Sequence, residues 1–240
     1  MKERLDVLMF SRKLVSSRND AQKLIEAGKV KVNGEVILKK HLEFDWDSTI
    51  DINKENFFVS RAGNKLQKAI DEFKINVANY ICLDVGASTG GFTECLLDNG
   101  AKKVYSVDVG SDQLDVKLRN NKRVINLEKT DIRDLGKLDK LIDFIVVDVS
   151  FISILKVLPY LKKFFKQKGE LILLIKPQFE ILENKNKKGK IKDENLVQDT
   201  IIHIKENIIK EGYNIIGLIE SPILGKKGGN KEYLIYCKVV

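Results

Sequence analysis

The run from Tyr80 to Phe92, YICLDVGASTGGF, constrains this chain more than any other. An apolar stretch ends at Asp84-Val85-Gly86, passes through Ala87-Ser88-Thr89-Gly90-Gly91, and enters a helical pattern at Phe92. A buried parallel strand hands over to a helix through such a glycine turn. Glycines let the backbone pass close to a ligand, and the helix start offers unpaired N–H groups. A dinucleotide fingerprint wants G-x-G-x-x-G; Gly86, Ser88 and Gly91 hold those positions, so the second glycine is missing. The stretch alone also fits a plain corner with no ligand.

The pattern after Tyr80 alternates. Strands are expected over 81–85, 103–108, 124–128, 144–149 and 170–175, and helices over 92–99, 112–119, 153–165 and 195–211. That alternation predicts an α/β chain with a Rossmann-like, doubly wound parallel sheet. The last strands, 213–220 and 233–239, are joined by a loop too short for a crossover helix, so they pair antiparallel. A helix over about 60–73 precedes the first strand.

The first fifty residues read as a separate α+β module. Leu5, Val7, Leu8, Leu14 and Val15 suggest a short amphipathic helix. Ser17-Arg18-Asn19-Asp20 resembles a capping box, and a helix over 20–27 carries Ala21, Leu24 and Ile25 on one face before Gly28 stops it. Val30 and Val32, Asn33-Gly34, then Val36 and Leu38 form a hairpin signal. Residues 2–40 hold ten Lys/Arg against five Asp/Glu, whereas 41–59 hold Lys54 alone against five acids. The expected organisation is a small domain over 1–56, a linker over 57–63 and a second domain over 64–240.

With 43% hydrophobic and 32% charged residues, a packed core is expected rather than disorder. A net charge of +8 favours a polyanionic partner, although a lysine-rich surface gives the same number. Cys82, Cys95 and Cys237 form no C-x-x-C, and His41 and His203 are far apart, so no zinc or other metal site is expected. The charged N-terminus lacks a signal-peptide pattern, and no apolar run approaches the ~18 residues of a membrane span. A reducing, cytoplasmic setting follows, with no membrane partner.

Ligands of open α/β sheets bind beyond the carboxyl ends of the strands. Asp108-Val109 ends the second strand, where a carboxylate suits a ribose diol; Asp131-Ile132 follows the third, where one suits an adenine amino group. Asp148 ends the fourth strand and Lys176 the fifth. Glu232 starts the last, reversed strand and so reaches the same edge, and Lys65 enters from the preceding helix. Each alone is an ordinary cap, turn or surface residue; together they converge on one rim.

Asp84-x-Gly86-x-Ser88-x-Gly90 resembles motif I of the S-adenosylmethionine-dependent methyltransferases, implying cofactor contacts from Asp84, Gly86, Ala87, Ser88, Thr89, Gly90, Gly91 and Phe92. Lys65, Asp148, Lys176 and Glu232 resemble the catalytic Lys-Asp-Lys-Glu tetrad of the FtsJ-like ribose 2′-O-methyltransferases. Arg4-Leu5-Asp6, Ser16-Ser17-Arg18, Leu24-Ile25, Gly28 and Asn33-Gly34 resemble the alpha-L RNA-binding motif, which implies phosphate contacts from Arg4, Arg12, Lys13, Arg18, Lys23 and Lys29. With SRAGNKL, DVGASTGGF, VVDVSF, LIKPQFE and GNKEYL, the whole chain resembles the TlyA family, once described as hemolysins. That resemblance implies methylation of a cytidine ribose in ribosomal RNA. The short N-terminus resembles the shorter TlyA subgroup and implies a large-subunit target. Lys176 is expected either to take the hydroxyl proton or to steady the developing alkoxide. Residues 162–168 and 185–192 and the loop 225–229 are further basic stretches, equally readable as RNA grips or solvated loops. A membrane-lytic protein, a non-catalytic RNA binder and a small-molecule methyltransferase are the competing readings.

Overall fold

The computed structural model describes residues 2–15, 17–26, 28–53, 58–181, 191–225 and 229–240. Positions 185–190 and 226–228 of the basic stretches, and position 57 of the expected linker, lie outside them. The chain divides into two units, residues 1–57 and 58–240.

In the first unit, β1 (Lys2–Arg4) pairs antiparallel with β4 (Glu43–Asp45). β2 (Val30–Val32) lies between β3 (Glu35–Val36) and β5 (Ile50–Ile52). Helices α1 (Leu5–Ser11) and α2 (Arg18–Glu26) bury Leu5, Met9, Ala21, Leu24 and Ile25 with Val30 and Val32. The Ser17 hydroxyl accepts the Asp20 N–H at 3.1 Å, as the capping signal implied. Asn33 (φ 51°) and Gly34 (φ 88°) make the hairpin turn, both left-handed as a type I′ turn requires. β4 and β5 were not anticipated, although Leu42 to Asp47 and Ile50 to Ile52 alternate apolar with acidic residues.

The second unit opens with α3 (Ala62–Phe73), followed by β6 (Ile81–Val85), α4 (Gly91–Asp98), β7 (Lys103–Val107), α5 (Val116–Arg119), β8 (Val124–Leu127) and β9 (Ile142–Val147). Next come β10 (Phe165–Ile175), α6 (Pro177–Glu180), α7 (Glu194–Lys210), β11 (Tyr213–Glu220) and β12 (Tyr233–Val239). The sheet order is β11-β12-β10-β9-β6-β7-β8, with β12 antiparallel to both neighbours and the remaining pairs parallel. Both faces are buried: Leu83, Ile145 and Leu173 pack into one core, and Cys82, Phe144 and Ile172 into the other. This is why these strands read as unbroken apolar runs.

Two expected helices are different. Over 153–165 the chain makes three 3-10 turns, Ile154–Lys156, Leu158–Tyr160 and Lys162–Phe164. Pro159 lacks the N–H that an α ladder needs, and its ring would strike the carbonyl four residues back. The expected helix over 112–119 shrinks to the single turn α5. Asp112 is left-handed (φ 54°), which an α-helix cannot contain, and the N–H groups of Asp112, Gln113 and Leu114 ahead of α5 donate to the Glu128 carboxylate. The fifth parallel strand begins at Phe165, with a register shift before Glu170.

Candidate active site

The glycine turn after β6 is built for close approach. Gly86 (φ 84°) and Gly90 (φ 96°) take conformations that side chains resist. A Cβ on Gly86 would lie 2.5 Å from the Asp148 backbone oxygen, so this glycine seats the turn against the end of β9. A Cβ on Gly91 would meet Ser60 Oγ at 2.3 Å and Gly63 N at 2.9 Å, so this one lets the start of α3 rest on α4. Gly86 and Ala87 N–H donate to the Val107 carbonyl, and Thr89 O accepts the Asp115 N–H. Asp108 accepts Ser88 N–H on one carboxylate oxygen and Gly110 N–H on the other, each at 2.7 Å. Its remaining lone pairs leave room for hydroxyl donors.

Asp84 is fully buried beneath the turn. Its Oδ2 accepts the Thr93 hydroxyl at 2.6 Å, and its Oδ1 has no partner. Burial pushes its carboxyl up to about 7, with the Thr93 hydrogen bond opposing and the Asp148 charge adding. An orphaned buried acceptor at this place fits a cationic group of a ligand. Phe92 and Ile132 are buried in the core, and Val109 is exposed. Asp131 is held bidentate by Arg133, at 3.0 and 2.6 Å, which also lowers its carboxyl pKa. An adenine amino group would have to share that carboxylate.

The four rim residues form two ion pairs. Lys65, in the first turn of α3, is 6% exposed and pairs with the Glu232 carboxylate, itself 3% exposed. Lys176, 7% exposed, follows β10; its Nζ lies 2.5 Å from Asp148 Oδ1 and donates to Ser150 Oγ at 2.8 Å. Asp148 Oδ1 receives no hydrogen bond of good angle, so that contact is charge against charge. The neighbouring order β12-β10-β9-β6 sets Glu232, Lys176, Asp148 and the glycine turn side by side along one edge.

Three residues at this edge escaped the sequence reading. Phe151 is 80% exposed and left-handed (φ 65°), at a cost of about 1–3 kcal/mol for such a residue. Its ring lies 5.1 Å from that of Phe179, which in turn sits 5.9 Å from Lys176 Nζ. Glu180 accepts Ser153 Oγ–H at 2.6 Å and Ile154 N–H at 2.9 Å. The only signal available was their place within VVDVSF and KPQFE.

In the first unit, Arg4 and Arg18 meet on Asp6, which is 0% exposed and also accepts Gln22 at 2.7 Å. Burial alone would raise the Asp6 carboxyl; its hydrogen bonds from Gln22, Arg4 and Arg18 outweigh this and hold it low. Arg12 donates to the Ser48 carbonyl at 2.7 Å. Lys13 and Lys23 are exposed and Lys29 is half-buried. Among the described residues no metal-binding cluster occurs, and all three cysteines are buried and unbridged.

Residues 58–239 match the FtsJ-like methyltransferase family, and residues 3–42 match the S4 domain. Hemolysin A of Brachyspira hyodysenteriae is 45% identical over 97% of this chain and 98% of its own. The 16S/23S rRNA (cytidine-2′-O)-methyltransferase TlyA of Mycobacterium tuberculosis is 37% identical over 98% of this chain and 89% of its own. A solved structure carrying the hemolysin name, from Streptococcus thermophilus, superposes with a TM-score of 0.74 at 37% identity, covering 100% of this chain and 89% of its own. The chain belongs to the TlyA family of FtsJ-like methyltransferases, with an S4 domain at its N-terminus.

Proposed function

We propose that this protein methylates the ribose 2′-hydroxyl of a cytidine in ribosomal RNA, with the large-subunit RNA as its target and the cytoplasm as its place of action. One observation carries the reading: two lysine–carboxylate pairs, one buried and one half-open, stand at the sheet edge beside a glycine turn with an orphaned acid beneath it. S-adenosylmethionine, when bound, supplies a methyl carbon on a positive sulfur that needs little activation. Asp84, Gly86 to Phe92, Asp108-Val109 and Asp131-Ile132 would hold it.

The chain's own residues meet the harder demand. A ribose hydroxyl is a poor nucleophile and must be held in line while it loses its proton. Lys176 faces that hydroxyl, either accepting its proton or opposing the charge that grows on oxygen. Asp148 and Ser150 fix the direction of Nζ, and Glu232 fixes Lys65. The exposed Phe151 ring offers a nucleobase a surface to stack on. Arg4, Arg12, Lys13, Arg18, Lys23 and Lys29 take backbone phosphates, and Asp6 holds the first and fourth of these ready.

The test is transfer of labelled methyl from S-adenosylmethionine to purified subunits and free rRNA, with Lys176→Ala as control. Label on a large-subunit cytidine ribose, lost by at least ~100-fold in the folded variant, is the expected result. Near-wild-type transfer by Lys176→Ala would remove that lysine from the mechanism. Cofactor and RNA binding without transfer would leave a non-catalytic RNA binder. The hemolysin name of some relatives raises lysis as the other activity, and no helix among the described residues is long and apolar enough to cross a membrane.

A further inference from the structure

Backbone pairing between β9 and β10 ends at Val147 and Leu173. Beyond it the two chains separate into the segments 148–154 and 176–180, and side chains rejoin them. Lys176 reaches Asp148 at 2.5 Å and Ser150 at 2.8 Å. The Phe151 and Phe179 rings touch at 5.1 Å between centroids. Glu180 closes the series, one oxygen on the Ser153 hydroxyl at 2.6 Å and the other on Ile154 N–H at 2.9 Å. Ser153 Oγ in turn accepts Leu155 N–H at 3.1 Å and starts the first 3-10 turn.

We propose that Glu180 is a positioning residue for methyl transfer, fastening the segment of Asp148, Ser150 and Phe151 to the segment of Lys176 and Phe179. The inference rests on the proposed transferase reading. Its physical ground is Phe151, held at φ 65° with its side chain in solvent. A bulky residue stays left-handed only where its surroundings over-determine it. The sheet ladder has already ended here, so side-chain contacts restrain the segment: Lys176 on Ser150 before Phe151, the Phe151 ring on Phe179, and Glu180 on Ser153 and Ile154 after it. A carboxylate suits the second place because each oxygen accepts one donor, and those donors belong to adjacent residues. Without it, Phe151 relaxes toward negative φ. Ser150, its neighbour, then turns away from Lys176 Nζ, and the lysine loses a hydrogen bond that sets its direction.

The experiment is single-turnover transfer by the full-length protein at saturating cofactor and rRNA. Glu180→Ala is expected to lower the saturating rate constant about 100-fold, the scale of a 1 Å misplacement. The Kd values for S-adenosylmethionine and rRNA stay near wild type. Glu180→Gln recovers most of the rate: its carbonyl accepts Ile154 N–H and its amide donates to Ser153 Oγ. A merely structural residue would instead weaken binding and lower the active fraction, with the rate constant at saturation untouched. That outcome, or a wild-type rate in Glu180→Ala, overturns the proposal. Should the wild type transfer no methyl group, the transferase reading falls by itself, and the strap is judged by amide exchange. Ile154 N–H is then expected to exchange at least about tenfold faster in Glu180→Ala, with β9 amides unchanged. Equal exchange at Ile154 overturns it.

Discussion

Replacing Glu232 by Gln tests whether the Lys65 pair is the buried ion pair that the structure shows. Both side chains are nearly inaccessible, at 8% and 4%. Removing one partner of such a pair costs about 3–5 kcal/mol, because the surviving charge stays buried. The Gln carbonyl still accepts from Nζ, which returns about 1 kcal/mol. The net loss is therefore about 2–4 kcal/mol, or a fall of roughly 4–16 °C in the Tm of a domain this size. Lys65→Met combined with Glu232→Gln leaves no charge in this pair and recovers much of that loss. Urea unfolding of the full chain measures this by far-UV circular dichroism. The single Trp46 lies in the first unit and would report the wrong transition. A coupling of about 2 kcal/mol between the two substitutions is expected. Additivity within ~0.5 kcal/mol would refute the reasoning, since independent sites add and paired charges do not. The double variant should also stay inactive while folded, separating the pair's place in the reaction from its place in the fold.

Two further outcomes follow from the glycine turn and the acid under it. Gly86→Ala must put a Cβ 2.5 Å from the Asp148 carbonyl at a left-handed φ, at a cost of about 1–2 kcal/mol before the collision is counted. Titration calorimetry should show no S-adenosylmethionine binding, and wild-type affinity would refute the close-approach role. For Asp84, the folded carboxyl sits at about 7 against an ordinary 3.8, so the folded state holds the proton more tightly than the unfolded one. Its contribution to stability is therefore full below pH 3.8 and is lost as the pH rises toward 7. A cationic group binding at Oδ1 needs the ionised form, so cofactor affinity should rise as the pH passes about 7, and Asp84→Asn should flatten that rise. An identical pH dependence in the variant would remove Asp84 from cofactor binding.

The sheet was legible because each parallel strand is buried on both faces and therefore written as a continuous apolar run. Leu83 and Cys82, or Leu173 and Ile172, point to opposite cores yet are equally apolar. The reversed last strand was legible from the shortness of the loop before it. The short elements were not, because their causes are local competitions that periodicity cannot weigh. Asp112 takes a left-handed φ that α5 cannot contain, and Pro159 turns an apolar helical pattern into 3-10 turns. At the site, strand ends announced Asp148 and Lys176, and topology announced Glu232. Which lysine faces which acid is a matter of side-chain packing and left no trace in spacing. Phe151 was invisible for another reason: its importance lies in a backbone angle, and no residue type encodes a positive φ on phenylalanine.

The division into two pairs bears on how the two lysines share the work. Lys65 and Glu232 are closed off, with side-chain exposures of 8% and 4%. Lys176 and Asp148 are at 9% and 16%, and Lys176 also donates to Ser150, which is exposed. A proton taken from a ribose hydroxyl has to reach water before the next turnover. Lys176 Nζ has, at 2.8 Å, the hydroxyl of Ser150, an exposed residue. Lys65 is shut in with a carboxylate that is itself buried. On the proposed reaction, then, Lys176 is the lysine with a neighbour exposed to solvent, and Lys65 the enclosed one.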